Sequence, residues 1–181
     1  MTRSPVHRQH PIALAQAREL ATRAAASDER LAARVERISR WSVAQQLEHL
    51  AIVDRGALRA LDRSLAEPER DAAQRATLVG RLLLATGWIP RGVGKAPERA
   101  LPQSVEPAAL RELWREAIAG LEALAPRLDE LARSRARARH PRFGWLDAGL
   151  WLRFVAVHHH HHTKIVRDIE RAAASAADAG R

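Results

Sequence analysis

The stretch WLRFVAVHHHHHTKIVRDI, residues 151–169, decides how this chain reads. Trp151, Phe154, Val155, Ile165, Val166 and Ile169 recur at helical spacing, and the run from His158 to His162 lies inside that stripe. Purification tags sit at chain ends, so an internal run crossed by an apolar stripe reads as native. At about 100° per residue, His158 and His162 fall within about 40° of each other, one turn apart on the apolar face. His161 is expected at the edge of that face, with His159 and His160 turned toward solvent. Two imidazoles stacked this way project together into a bundle interior and can chelate one ion. The rival reading is a pair of core histidines bonded to buried partners. The i, i+4 spacing on the apolar stripe favours chelation.

Working outward, Asp147 is placed to cap this last helix, which should run to about Ala176. Before it, Pro141 and Gly144 mark a tight turn over residues 140–146. Further upstream, Ser42 followed by Gln45 is a capping-box pattern and predicts a helix to about Leu65. Its apolar stripe centres on Leu47, Leu50 and Leu61. His49 lies at the margin, beside Gln46 and Val53. Alone it reads as a surface histidine, yet a margin position can face a neighbouring helix.

Other helices are expected from Pro11 through the stripe Ile12, Leu14, Leu20, Leu31, Val35 and Ile38, with a break or cap at Ser27-Asp28; from Asp71 to Thr86, stopped by Gly87; and from Ala108 to about Arg133, with a kink at Pro126. Residues 87–107 hold four prolines and keep no period, which predicts an irregular loop. Its GVGK fragment, residues 92–95, lacks the Ser or Thr that a phosphate loop needs after Lys95. Four long helices without alternating strands imply one all-α domain over 1–181, an antiparallel bundle with flexible ends at 1–10 and 173–181.

Composition narrows the chemistry. With 46% hydrophobic residues the chain can enclose a core, and with no cysteine any metal must be held by nitrogen and oxygen. The net charge of +9 raises nucleic acid as a partner. The arginines are spread over every segment, however, and no aromatic reading platform accompanies them, so only weak, non-specific binding is expected. The one local cluster, Arg133, Arg135, Arg137 and Arg139, reads as a solvated connector. Residues 1–10 are polar and the longest apolar run, Leu82–Ala85, is too short to cross a bilayer. A cytoplasmic protein with no membrane partner is expected.

Three features together resemble the DinB-like superfamily, including its YfiT-type metalloenzymes. They are Trp41-Ser42 followed by His49, the pair His158 and His162 on the final helix, and the HPRFG turn at residues 140–144. The resemblance spans about Trp41 to Ile169. It implies an up-down-down-up four-helix bundle, often a homodimer, with a three-histidine metal site near one end. Carried over by position, the ligands are His49, His158 and His162. The five-histidine run also leaves an i, i+3 alternative, His158 with His161. Relatives with known activity include thiol-dependent transferases, so the resemblance implies a small-molecule substrate and a low-molecular-weight thiol as a possible cofactor.

Three neutral imidazoles around Zn²⁺, Ni²⁺ or Fe²⁺ leave a coordination position open, as catalytic rather than structural sites do. A metal-dependent transferase or hydrolase is therefore one expectation, and a non-catalytic scaffold or sensor the alternative. Glu48 and Asp54 are candidate proton carriers, with ordinary helix charges as the plainer reading. Trp88 and Trp145 could wall a pocket, with core packing the plainer reading. The 87–107 loop is expected to order over the metal-bearing end, through Trp88 or a side chain between Val93 and Leu101, with a peripheral connector or a dimer contact as the alternative.

Overall fold

Seven helices account for most of the described residues: α1 (Pro5–Ala24), α2 (Asp28–Ala32), α3 (Val43–Ala66), α4 (Leu78–Thr86), α5 (Pro107–Ala123), α6 (Leu128–Arg133) and α7 (Ala148–Ala179). The structure, a computed structural model, describes residues 4–92 and 94–179, with side chains through 177. One hairpin joins β1 (Ala138–His140) to β2 (Gly144–Leu146), antiparallel, with Arg139 opposite Trp145. No helix among the described residues is long and apolar enough to cross a membrane.

The four long helices close a ring. Helices α1 and α3 each pack against both α5 and α7. Leu20, Leu47, Leu50, Leu61, Trp114 and Leu152 fill the middle without exposed surface. Burying a large apolar side chain contributes about 1.5–3 kcal/mol, so these stripes fix which faces turn inward. Where α3 meets α5, a Cβ on Gly120 would stand 2.5 Å from Leu58 Cδ1, so a larger residue there would push the Leu58 side chain aside.

Local signals explain most boundaries. The capping box at α3 forms in full: the Gln45 amide donates to Ser42 Oγ and the Ser42 amide to Gln45 Oε1. Asp147 caps α7 by accepting from the Leu150 amide at 2.9 Å. Gly87, at φ 68°, ends α4 in the left-handed conformation a C-terminal stop favours.

Three boundaries depart from expectation. Helix α1 begins at Pro5 rather than Pro11. Ser4 Oγ accepts from the His7 amide, and Val6 and His10 are buried, so residues 5–10 are helix and not a loose arm. Along α1 the inward face is Ala13, Ala17, Leu20 and Ala24, while Ile12 points outward. Residues 71–76 are not helical. Asp71 has φ 54°, and backbone groups of this segment pair instead with the chain around the hairpin, Arg137 donating to Arg70 and Trp145 to Arg75. The expected Ala108–Arg133 helix breaks after Ala123, passes through a 3₁₀ turn holding Pro126, and resumes as α6.

Candidate metal centre

Helices α3 and α7 bring His49, His158 and His162 together. One ring nitrogen from each lies within 4.8 Å of the others. His49 and His162 are buried and His158 is partly so. Stacking one turn apart puts the rings of His158 and His162 4.6 Å apart, and His49 packs 5.1 Å from the first and 4.9 Å from the second. His161 touches His162 at 5.0 Å but stands outside the three, so the i, i+3 alternative is not the set the fold assembles.

Two of the three rings are oriented by what the far nitrogen meets. His49 Nδ1 donates to the Ala100 carbonyl at 2.6 Å; a carbonyl only accepts, so the proton is on Nδ1 and Nε2 keeps its lone pair. His162 Nδ1 donates to Gln46 Oε1 at 2.5 Å, and Gln46 in turn donates to Ser39 Oγ. These partners fix the tautomer and raise ligand basicity, as outer partners of metal-binding histidines do. His158 differs. Its Nδ1 is buried without a partner, and its Nε2 stands 3.3 Å from His49 Nε2. Phe154 stacks against it at 5.2 Å.

The donor set fits a divalent ion. Two nitrogens bound tetrahedrally at ~2.0–2.1 Å stand ~3.3–3.4 Å apart, close to the spacing of the His49 and His158 Nε2 atoms. Burial is the main reason that His49, His158 and His162 all protonate below the ordinary histidine range, the last two well below it; the neighbouring imidazoles lower those two further. Ala100 and the Asp54 carboxylate pull His49 partly back. The lone pairs are thus kept free for a cation at neutral pH.

Two expectations about this helix turn are corrected. His159 does not face solvent. It is fully buried and its Nε2 donates to both oxygens of Asp54, at 2.8 and 2.9 Å. Because α7 packs on both α1 and α3, its buried arc is wider than the single stripe read from sequence. His160 is exposed, as expected. Neither Glu48 nor Asp54 is an ordinary helix charge. Both are buried, Asp54 against His159 and Glu48 accepting from the amides of Gln103, Ser104 and Val105.

The aromatic walls are also not those anticipated. Trp88 is largely exposed and Trp145 half-buried; Trp41, 5.0 Å from His49, and Phe154 flank the rings instead. The 87–107 loop does lie on this end. Ala100 is buried on His49, three loop amides clamp Glu48, and His161 bonds the Ile89 backbone. Val93, where the expected span of contacts begins, lies outside the described residues. His140 accepts from the amides of Arg142 and Phe143, and its ring abuts Phe154 at 4.4 Å. Burial, with Arg99 and Arg142 nearby, pushes its pKa down to about 4.

A sequence profile of the DinB superfamily matches residues 13–166, and the chain belongs to that superfamily. No curated protein and no solved structure matches it.

Proposed function

We propose that this DinB superfamily member binds one divalent ion, Zn²⁺, Ni²⁺ or Fe²⁺, through His49, His158 and His162, and uses it in a transfer or hydrolysis reaction on a small molecule. The observation that carries the reading is the fixed tautomer of His49, whose Ala100 bond aims a bare Nε2 at His158. An ion held there would supply Lewis acidity to a water or thiol substrate. The chain's own contribution is orientation. Ala100 and Gln46 hold two rings, Phe154 and Trp41 exclude water from two sides, and the 87–107 loop limits access. Ligation through Nε2 requires His158 to carry its proton on Nδ1.

The finer parts of the reading rest on less: a low-molecular-weight thiol as co-substrate and a homodimer on family resemblance, and a cytoplasmic location and no specific nucleic acid on the composition of the chain. An up-down-down-up helix order belongs here too. It is supported by α1–α7 pairs running in step, Glu19 with Arg167 and Arg23 with Glu170, and by α3–α7 pairs running in opposition, Gln46 with His162 and Asp54 with His159.

A non-catalytic scaffold or sensor is the second reading. Two surface depressions, of about 370 and 390 Å³, are lined without any of the three histidines, so neither offers a substrate chamber beside them. Protein purified without a metal-affinity column should carry about one equivalent of divalent metal. His158→Ala or His162→Ala should abolish it and His160→Ala should spare it. Equal losses from all three would mean that the run binds metal as an unstructured tag does. A thiol-transfer screen on the loaded protein then separates enzyme from scaffold.

A further inference from the structure

Helix α4 is apolar on both sides. Its inner side, Gly80 and Leu84, is buried; a Cβ on Gly80 would stand 2.7 Å from the Phe143 carbonyl. Directly opposite, Leu78, Val79 and Leu82 are 80, 63 and 64% exposed, and Trp88, two residues past the helix, is 62% exposed. Among the described residues only Ile12 and Leu101 add to these as exposed large hydrophobics, so the exposure is concentrated within eleven residues. A helix apolar all round is normally covered, and a contiguous exposed patch marks an interaction surface.

Charge indicates what covers it. Residues 72–97 contain Arg75, Arg81, Arg91 and Lys95 and no Asp or Glu. Arg91 pairs with Asp168 at 2.8 Å. Arg75 donates to the carbonyls of Ala72 and Gln74, and Arg142, from the adjoining hairpin, to that of Lys95. Arg75, Arg81, Lys95 and Arg142 have no carboxylate partner among the described residues, so their charge is uncompensated. The occupant must therefore offer an apolar layer and negative charge together. A second copy meeting this face about a two-fold axis would set the same cations against themselves. Nucleic acid would leave the leucines in water.

We propose that α4 and Trp88 dock on an anionic lipid bilayer, with Leu78, Val79, Leu82 and Trp88 entering the interface and the flanking cations facing lipid phosphates. The expectation of no membrane partner rests on the lack of a spanning segment; interfacial docking needs no span. The proposal is independent of the metal reading, and its test needs no metal.

The full chain is sedimented with vesicles of equal parts phosphatidylglycerol and phosphatidylcholine, and with phosphatidylcholine alone. Binding should require the anionic lipid and weaken as salt rises. Leu78→Ser with Leu82→Ser should weaken it roughly tenfold or more, and Arg81→Gln about fivefold. All three side chains are exposed, so circular dichroism and melting should be unchanged. A blue shift of tryptophan emission on binding should largely vanish in Trp88→Phe. Failure to bind anionic vesicles, or binding indifferent to the leucine pair, overturns the proposal. So does a dimer that the leucine substitutions dissolve, which assigns the face to a second copy, or nucleic-acid binding lost in the same variants without vesicle binding.

Discussion

His158 and His159 are neighbours in the chain, and both leave Nδ1 buried without a partner, yet α3 treats them oppositely. His158 meets His49, another imidazole, across 3.3 Å. His159 meets Asp54, five residues further along the same helix, with both carboxylate oxygens within 2.9 Å. An imidazole facing a second neutral imidazole keeps a lone pair available to a cation. One facing a carboxylate spends its nitrogen on a hydrogen bond. The run of five histidines thus separates into ligand and strut according to what the opposite helix supplies, and residue type alone does not decide it.

The comparison breaks most visibly at Asp54. Asp54→Ala leaves the buried Nε2 of His159 without its hydrogen-bond acceptor and should cost about 1–3 kcal/mol, read by denaturant unfolding of the metal-free chain. At a temperature where the variant is still folded, one equivalent of metal should remain. A loss of metal with unchanged stability would exchange the two roles. Next in size is Gln46→Ala. Freeing the Nδ1 of His162 should lower metal affinity about 10–100-fold, measured by chelator competition, with a smaller change in stability.

A third histidine extends the contrast. His140 accepts from two turn amides, so its neutral form is built into the fold. Its folded pKa, about 4, lies below the unfolded value near 6.5. The unfolded chain therefore binds the proton more readily, and the stability His140 contributes is complete above about pH 6.5 and lost as pH falls toward about 4. Partial exposure reduces that contribution to roughly 1 kcal/mol. Proton titration followed by NMR should show His140 neutral at pH 6; a midpoint near 6.5 would remove it from the comparison. The smallest effect belongs to His160→Ala, which should change stability by no more than about 0.5 kcal/mol.

Helical periodicity was enough to read α3, α7 and the His158–His162 pair, because both helices carry long amphipathic stripes and unambiguous caps. His49 was readable as a ligand only through resemblance, since its margin position says nothing about which helix it will face. Asp54 carries a signal in its spacing as well. It continues the buried line Leu47, Leu50, Ala57 and Leu61, where a carboxylate is out of place unless something buried answers it. Ala100 left none. Its part is played by a backbone carbonyl, reached only when the chain returns 51 residues later. The start of α1 was misplaced because Pro11 is accommodated inside the helix, while the weaker Ser4-Pro5 signal opens it.

The Ala100 contact also joins two properties that are often separate in a protein. The loop that roofs the histidines is the same object that sets which nitrogen of His49 bears the proton. Lifting the roof releases the hydrogen bond, and the ring is then free to turn and to change tautomer. Access to the histidines and strength of grip therefore vary in opposite directions, as with a latch whose bolt is also its hinge pin. Because the bolt is main chain, the loop's side chains can drift widely in composition while the latch persists, provided that the backbone path past His49 is kept.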